Sequence, residues 1–197
     1  AAGALLTGCG VDTGYAKYSA SFFDTFDTVV KVVGYARSQE EFDGYYAYIQ
    51  DRFVELNRLY DIYNDYEGVV NLKTVNDSAG KAPVAVDPAI LDLVAFGKEW
   101  AAKTPGVTDI AMGAVLSIWH VYRQNGQDDP ASAALPPMAD LLEAAKHCDI
   151  GQVIVDREAG TIYLADPGMS LDVGAIAKGY ATELYHRARF WERHPMH

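Results

Sequence analysis

Residues 42–60 carry the clearest helical pattern in the sequence. Apolar or aromatic side chains recur there at steps of three and four, a period typical of a helix with one buried face. Ser38 precedes this run and Glu41 follows Ser38 by three positions, which is the spacing of a capping box at a helix start. Because such a helix must bury its apolar face against another layer, the pattern predicts a packed core.

Strand patterns occur on both sides of this helix. Residues 22–36, FFDTFDTVVKVVGYA, are rich in β-branched and aromatic side chains and predict one long strand or a pair. The runs QVIVD at 152–156 and TIYLA at 161–165 predict a hairpin, and residues 169–172 predict a further brief strand.

Four more helical patterns follow the first helix. Asp87 and Pro88 offer an N-cap and a first-turn proline for a helix that ends near Thr104. The others are expected at 111–123, 138–149 and 175–185, with loops at 60–81 and 125–137. Since strands and helices mix without regular β-α-β alternation, the sequence predicts an α+β fold in which a mixed sheet packs with several helices.

The net charge argues against nucleic acid as a partner. The sequence has 16 Lys and Arg against 27 Asp and Glu, a formal charge of −11. Such a surface repels phosphate backbones, so a phosphate ligand needs a local source of positive potential. Of the two cysteines, Cys148 is predicted to be a small, inert and partly buried side chain.

The other cysteine, Cys9, ends the run LTGC after an apolar stretch. This run resembles the lipobox of bacterial lipoproteins, in which the signal is cut before a cysteine whose thiol receives a lipid. We therefore expect a signal remnant and tether over residues 1–21, and a lipid anchor that holds the protein to the membrane on the extracytoplasmic side of a bacterial cell envelope. The alternative is a frayed terminus that contains a cysteine by chance.

Residues 169–181, MSLDVGAIAKGYA, place an Asp, two glycines and one Lys where a strand leads into a helix. The first N–H groups of a helix carry positive potential that suits a phosphate, and Gly174 would let a ligand approach the backbone. Lys178 can add a point charge, and Asp172 can accept hydrogen bonds from a ligand or from the free N–H groups. On spacing alone, an N-capping Asp172 and a solvent-exposed Lys178 explain the pattern equally well.

The segment LDVGAIAKGYA at 171–181 resembles the signature of the ApbE-type FAD:protein FMN transferases. Three other segments resemble family motifs in the same order: FDT at 26–28, NLKTVN at 71–76, and TPGVTDI at 104–110. The resemblance covers about residues 22–185 and implies the N-terminal part of an ApbE-like fold. Several ordered motifs are more specific than one glycine-rich turn.

In that family, Mg²⁺-dependent enzymes transfer the FMN half of FAD to a Thr of an acceptor protein and release AMP. The resemblance implies the same activity here, with FAD as substrate, Mg²⁺ as cofactor and a Thr-bearing protein as partner. The alternatives are an FAD pyrophosphatase, which yields free FMN, and a non-catalytic flavin-binding lipoprotein.

The resemblance also implies roles for single residues. Asp172 and Lys178 would contact FAD, and the main-chain carbonyl of Ala175 would be one Mg²⁺ ligand. Asn76 would touch the flavin, and Tyr63 would stack on it. Val107, Thr108 and Asp109 would lie along FAD. The structural alternatives are a turn at Asn76, a helix cap at Asp109 and loop packing at Tyr63.

Residues 186–197 depart from the family and contain three of the five His. The spacing of His186, His194 and His197 fits no ordinary metal motif, so this tail is predicted to be disordered. The family's other metal ligands and its catalytic residues lie in a C-terminal half without a counterpart in this sequence. We therefore expect the chain as written to have little transferase activity.

Overall fold

The structure is a computed structural model that describes residues 14–187. Six α-helices and five β-strands lie within this range. The chain forms two compact units, Ala1–Val54 and Glu55–His197, and the division falls inside the first long helix. The predicted lipidation site, Cys9, lies outside the described residues.

The first unit is built on an antiparallel hairpin of β1 (Ala16–Thr25) and β2 (Thr28–Ala36). Phe26 and Asp27 form its two-residue turn with φ values of 53° and 50°, as a type I′ hairpin turn requires. The paired alternative for residues 22–36 is therefore confirmed. Residues 16–21 were expected in the tether, which is wrong, because they form the first part of β1.

The first helix, α1 (Gln39–Tyr60), confirms the amphipathic pattern. Ser38 Oγ accepts a hydrogen bond from the Glu41 N–H at 3.1 Å, as in a capping box. The Glu41 carboxylate accepts from the Arg37 N–H at 2.7 Å, one residue before the expected partner. On the buried face within the first unit, the Phe53 and Phe22 rings meet edge-on with centroids 5.7 Å apart.

The second unit contains a three-stranded antiparallel sheet of β3 (Val84–Ala85), β5 (Thr161–Leu164) and β4 (Val153–Asp156), in that order. The predicted hairpin at 152–165 is thus confirmed. Sheet and helices share one core, and burial of each large apolar side chain stabilises it by about 1.5–3 kcal/mol. Its fully buried side chains include Leu72, Ile90, Leu93, Val153, Ile162, Leu164 and Leu171.

The remaining helices mostly follow their sequence signals. Asp87 caps α3 (Pro88–Lys103) by accepting from the Ala89 N–H at 2.8 Å. A 3-10 turn at Ile110–Met112 leads into α4 (Gly113–Asp128), which extends into the predicted loop at 125–137. The last two helices lie where helical patterns were predicted: α5 (Met138–Ala144) and α6 (Gly174–Arg187).

The prediction of a loop over residues 60–81 is wrong in part, because it contains α2 (Leu72–Asp77). Asn71 caps this helix: its side chain accepts from the Thr74 N–H at 3.1 Å, and Thr74 Oγ1 accepts from the Asn71 N–H at 3.3 Å. A helix of six residues is too short to show a period in the sequence, so only the capping residues signal it.

The predicted strand at 169–172 is also wrong. These residues form an irregular segment that joins no sheet in the described part of the chain. Two of their backbone groups bond to the start of α4 and to the 3-10 turn before it: Ser170 O accepts from the Gly113 N–H at 3.0 Å, and the Asp172 N–H donates to Ile110 O at 2.8 Å. Of the predicted tail, residues 186–187 belong to α6, and residues 188–197 lie outside the described range.

Among residues 14–187, helices long enough to cross a bilayer are too polar to do so. The predicted α+β class is confirmed by six helices that accompany two small antiparallel sheets within that range.

Gly113 allows the irregular segment to approach α4, and we expect Gly113→Ala to destabilise the protein. A Cβ at this position would lie 2.4 Å from Ser170 O, so the backbone must move. The expected loss is about 1–3 kcal/mol in the free energy of unfolding, measured by urea denaturation. The matched control is Gly179→Ala in α6, where a Cβ meets nothing within 4 Å. The control should gain about 0.5–1 kcal/mol, and equal losses in both variants would contradict the account.

Candidate functional site

A cleft of about 540 Å³ lies beside the irregular segment that precedes α6. This volume is within the range of small-molecule sites. Four of its ten lining residues have aromatic rings, counting His120, and the lining also carries one carboxylate and one guanidinium. The lining residues are Tyr63, Leu116, Trp119, His120, Tyr122, Arg123, Gly126, Ala133, Ala134 and Asp172.

Two of the aromatic side chains stack on each other. The Tyr63 and His120 rings lie 4.8 Å apart between centroids, with planes 26° apart, and 56% of Tyr63 is exposed. Tyr63 therefore lies in the same cleft as Asp172, although loop packing was the favoured sequence interpretation. The exposed part of the Tyr63 ring could stack on a flat ring of a ligand.

Asp61 fixes the turn that presents Tyr63. Its Oδ1 accepts from the Tyr63 and Asn64 N–H groups at 2.7 and 3.1 Å, and its Oδ2 accepts from Tyr66 Oη at 2.7 Å. Burial by itself would raise the pKa of Asp61, but the hydrogen bonds from Tyr66, Asn64 and the backbone outweigh burial and lower this pKa below its usual range. The turn is thus held by an ionised carboxylate.

Asp172 bonds the backbone at the start of α6 and also borders the cleft. Its Oδ1 accepts from the Gly174 N–H at 2.8 Å, and its side chain is part of the cleft lining, whereas contact of Asp172 with FAD stays a prediction. Its neighbours Leu171 and Val173 are 0% and 2% exposed, which anchors the backbone on each side. The carboxylate is therefore carried on a firmly held segment at the edge of the cleft.

Asn76 lies on α2 and binds the backbone of this segment. Its Nδ2 donates to Leu171 O at 3.0 Å, and its Oδ1 accepts from the Leu171 N–H at 2.8 Å. It is in a helix, so the turn interpretation of Asn76 is wrong. Contact of Asn76 with a flavin stays a prediction.

The residues expected along FAD at 107–109 do not line this cleft. Asp109 Oδ1 accepts from the Ala111 N–H at 2.8 Å, which is the helix-cap alternative. Thr108 is half-buried, and Val107 is 83% exposed on the preceding turn. Asp109 and Asp172 are nevertheless linked through the 3-10 turn, because the Asp172 N–H bonds Ile110 O.

The first turns of α6 present Gly174, Ala175 and Lys178 on the exposed surface. Within residues 14–187 the Lys178 ammonium has no hydrogen-bond or ion-pair partner. An unpaired ammonium near a helix N-terminus adds to the positive potential of the helix dipole there. Lys178 thus adds a positive charge to a helix start whose Gly174 N–H bonds the Asp172 carboxylate.

Sequence reasoning missed the contribution of α4 to the cleft. Leu116, Trp119, His120 and Arg123 follow the spacing i, i+3, i+4, i+7, which places them on one helix face and could have signalled a shared surface. Arg123 Nη2 donates to His120 Nδ1 at 3.0 Å, and since a guanidinium cannot accept, this nitrogen is the acceptor. Arg123 lines the same cleft as Asp172.

The described residues do not form a complete magnesium site. Within residues 14–187, no group of three or more His, Cys, Asp or Glu side chains is placed to hold a metal ion. The Ala175 carbonyl could supply one oxygen, whereas Mg²⁺ takes six ligands. Cys148 is half-buried, and burial raises the pKa of its thiol, which favours the inert role predicted for it.

Comparison with known proteins identifies the family. The model of the ApbE family matches residues 26–194, so the chain belongs to the ApbE family, and the resemblance noted in the sequence is confirmed. An FAD:protein FMN transferase of Treponema pallidum is 36% identical over 117 residues, which are 57% of this chain and 30% of the relative.

Solved structures agree on the fold. The ApbE protein of Thermotoga maritima superposes with a TM-score of 0.70 at 22% identity, over 85% of this chain and 50% of that protein. The apo form of the Pseudomonas stutzeri flavinyl transferase ApbE gives 0.67 at 17% identity, over 86% and 50%. The chain thus spans half of these structures and less than half of the curated relatives.

The Asp61 turn generates a pH-dependent prediction for Asp61→Asn. The variant should lose about 1–2 kcal/mol of stability at pH 7, because charge-assisted hydrogen bonds are weakened. The folded-state pKa of Asp61 is lowered, so its contribution is present above the unfolded value near 3.9 and is lost as pH falls through the folded value. The difference from wild type should therefore shrink as pH falls below the unfolded value of about 3.9.

Urea denaturation of both proteins at several pH values measures this difference. Asp65→Asn is the matched control, since this exposed carboxylate of the same loop has an ion pair with Lys73 at 3.4 Å. A surface pair of this kind contributes about 0–1 kcal/mol. A difference for Asp61→Asn that stays constant with pH would show that the carboxylate charge does not hold the turn.

Proposed function

We propose that this chain forms the FAD-binding part of an FAD:protein FMN transferase. One observation carries the proposal: Asp172, from the family signature, lines an aromatic cleft together with Tyr63 and Trp119. Ring systems such as isoalloxazine and adenine bind to aromatic walls by stacking. The cleft volume of about 540 Å³ is within the range of small-molecule sites, which supports the proposal.

The diphosphate of FAD would bind at the start of α6. The helix dipole favours an anion there, and the exposed Ala175 N–H would be the donor, because the Gly174 N–H already bonds Asp172 Oδ1 at 2.8 Å. Lys178 would add a point charge on the same turns of the helix. Arg123 would supply a second cation from the α4 side of the cleft. These groups provide the local positive potential that a chain with a net charge of −11 otherwise lacks.

The transfer itself breaks the bond between the FMN phosphorus and the oxygen that leaves with AMP, and it forms a bond from that phosphorus to the hydroxyl oxygen of an acceptor Thr. The Thr proton passes to a base. The residues described here would bind FAD, orient the diphosphate and stabilise negative charge on its oxygens.

We further propose Mg²⁺ as the metal, with the Ala175 carbonyl as one of its ligands. Bound Mg²⁺ would supply charge neutralisation at the phosphate oxygens. Its other ligands would have to come from the nucleotide, water and protein groups outside the described residues. The lipid anchor at Cys9 and an extracytoplasmic, membrane-tethered location also remain proposals, and they rest on the LTGC run alone.

Binding of FAD to this chain tests the first part of the proposal. We expect Lys178→Ala to weaken FAD binding about tenfold, which corresponds to the loss of one charge-assisted contact. Flavin fluorescence titration measures the affinity. The matched control is Lys103→Ala, because Lys103 is an exposed helix lysine whose ammonium pairs with Glu99 at 2.5 Å. Equal affinities for wild type, variant and control would contradict the role of Lys178.

The reaction is tested by its products. The chain is incubated with FAD, Mg²⁺ and a Thr-containing acceptor peptide, and mass spectrometry measures peptide-bound FMN, free FMN and AMP. Transfer yields modified peptide and AMP in equal amounts, whereas a pyrophosphatase yields free FMN with or without the peptide. Because the chain as written is expected to have little transferase activity, tight FAD binding without either product would indicate a non-catalytic flavin-binding protein only if it persisted after a family-like C-terminal half was restored.

A further inference from the structure

Asn76 and Leu171 are joined by two hydrogen bonds although 95 residues separate them in the sequence. The Asn76 amide donates to Leu171 O at 3.0 Å and accepts from the Leu171 N–H at 2.8 Å. It thus satisfies both backbone groups of one residue, as the peptide of a neighbouring strand would. This explains how an extended segment with a strand-like sequence is stable without a sheet partner.

The residues on either side of Leu171 are held by backbone groups. Ser170 O accepts from the Gly113 N–H at 3.0 Å, and the Asp172 N–H donates to Ile110 O at 2.8 Å. Three consecutive residues are therefore fixed, and the side chain of Asn76 fixes the middle one. Leu171 is 0% exposed, so loss of this pairing would leave two buried backbone groups without partners.

Helix α2 connects both sides of the cleft. The Lys73 N–H near its start donates to Asp61 O at 3.0 Å, and Asp61 holds the turn that presents Tyr63. Asn76, near its end, holds the residue next to Asp172. One short helix thereby sets the position of an aromatic wall and of the carboxylate.

We propose that Asn76 is a positioning residue of the nucleotide site. It keeps the Asp172 carboxylate in place through Leu171 and acts on FAD through that carboxylate, in place of the direct flavin contact that the resemblance implied. The inference rests on the proposed function, since it concerns the same cleft. Among the common side chains, an amide of this length offers a donor and an acceptor side by side. An Asp at position 76 would keep the acceptor for the Leu171 N–H, but it would replace the donor with a negative oxygen that repels Leu171 O.

A double-mutant cycle tests this inference through FAD affinity. Asn76→Asp should weaken FAD binding about tenfold in the wild-type background, because Asp172 is displaced. In the Asp172→Asn background the same change should weaken binding less than about twofold, because the group that Asn76 positions is already altered. Asn125→Asp makes the same chemical change on exposed α4 outside the cleft lining and should leave FAD affinity unchanged.

The outcomes separate the two proposals. If wild type does not bind FAD, the proposed function fails, and the inference fails with it. If wild type binds FAD and the two single effects multiply in the double variant, Asn76 acts independently of Asp172 and the inference alone is overturned. Asn76→Ala removes both hydrogen bonds without adding charge. It must show the same pattern, with a large loss of FAD affinity in the wild-type background and a small one in the Asp172→Asn background. If neither Asn76 variant folds, as measured by circular dichroism, Asn76 serves the whole fold and the positioning role is wrong.

Discussion

The conformation of residues 170–172, between β5 and α6, depends on hydrogen bonds to residues that belong to no β-sheet. Asn76 pairs with both backbone groups of Leu171, while Gly113 and Ile110 bond the adjacent residues. Each bond contributes about 1 kcal/mol net, but leaving one of these buried groups unpaired costs about 1–3 kcal/mol. Because α6 begins directly after this segment, the direction of its N-terminus and the place of the Asp172 carboxylate both depend on these contacts.

The cleft beside this segment has one side suited to aromatic rings and another suited to an anion. Its aromatic side, with the stacked Tyr63 and His120, suits flat rings, whereas the start of α6 suits an anion. Arg123 in the cleft lining and Lys178 on α6 add positive charge to a chain with a net charge of −11. A ligand with rings joined by a diphosphate matches this division, and the membership in the ApbE family makes FAD the ligand that we propose.

The elements that sequence analysis predicted well are those with a long period or a strong cap. Helix α1 showed five turns of amphipathic pattern, and Asp87 marked the start of α3. Helix α2 was not predicted, because six residues are too few to show a helical period of apolar side chains. In the site, the motif identified Asp172 from local residues, but the partner of Asn76 could not be predicted, because a contact across 95 residues leaves no local pattern.

A crystal structure of this chain with FAD bound tests the central claim most directly. The account predicts the diphosphate within hydrogen-bond distance of the N–H groups at the start of α6, with a ring of FAD against Tyr63 or Trp119. It also predicts that both hydrogen bonds between Asn76 and Leu171 persist in the complex. FAD bound away from this cleft, or an Asn76 side chain turned from Leu171 to the flavin, would contradict the account.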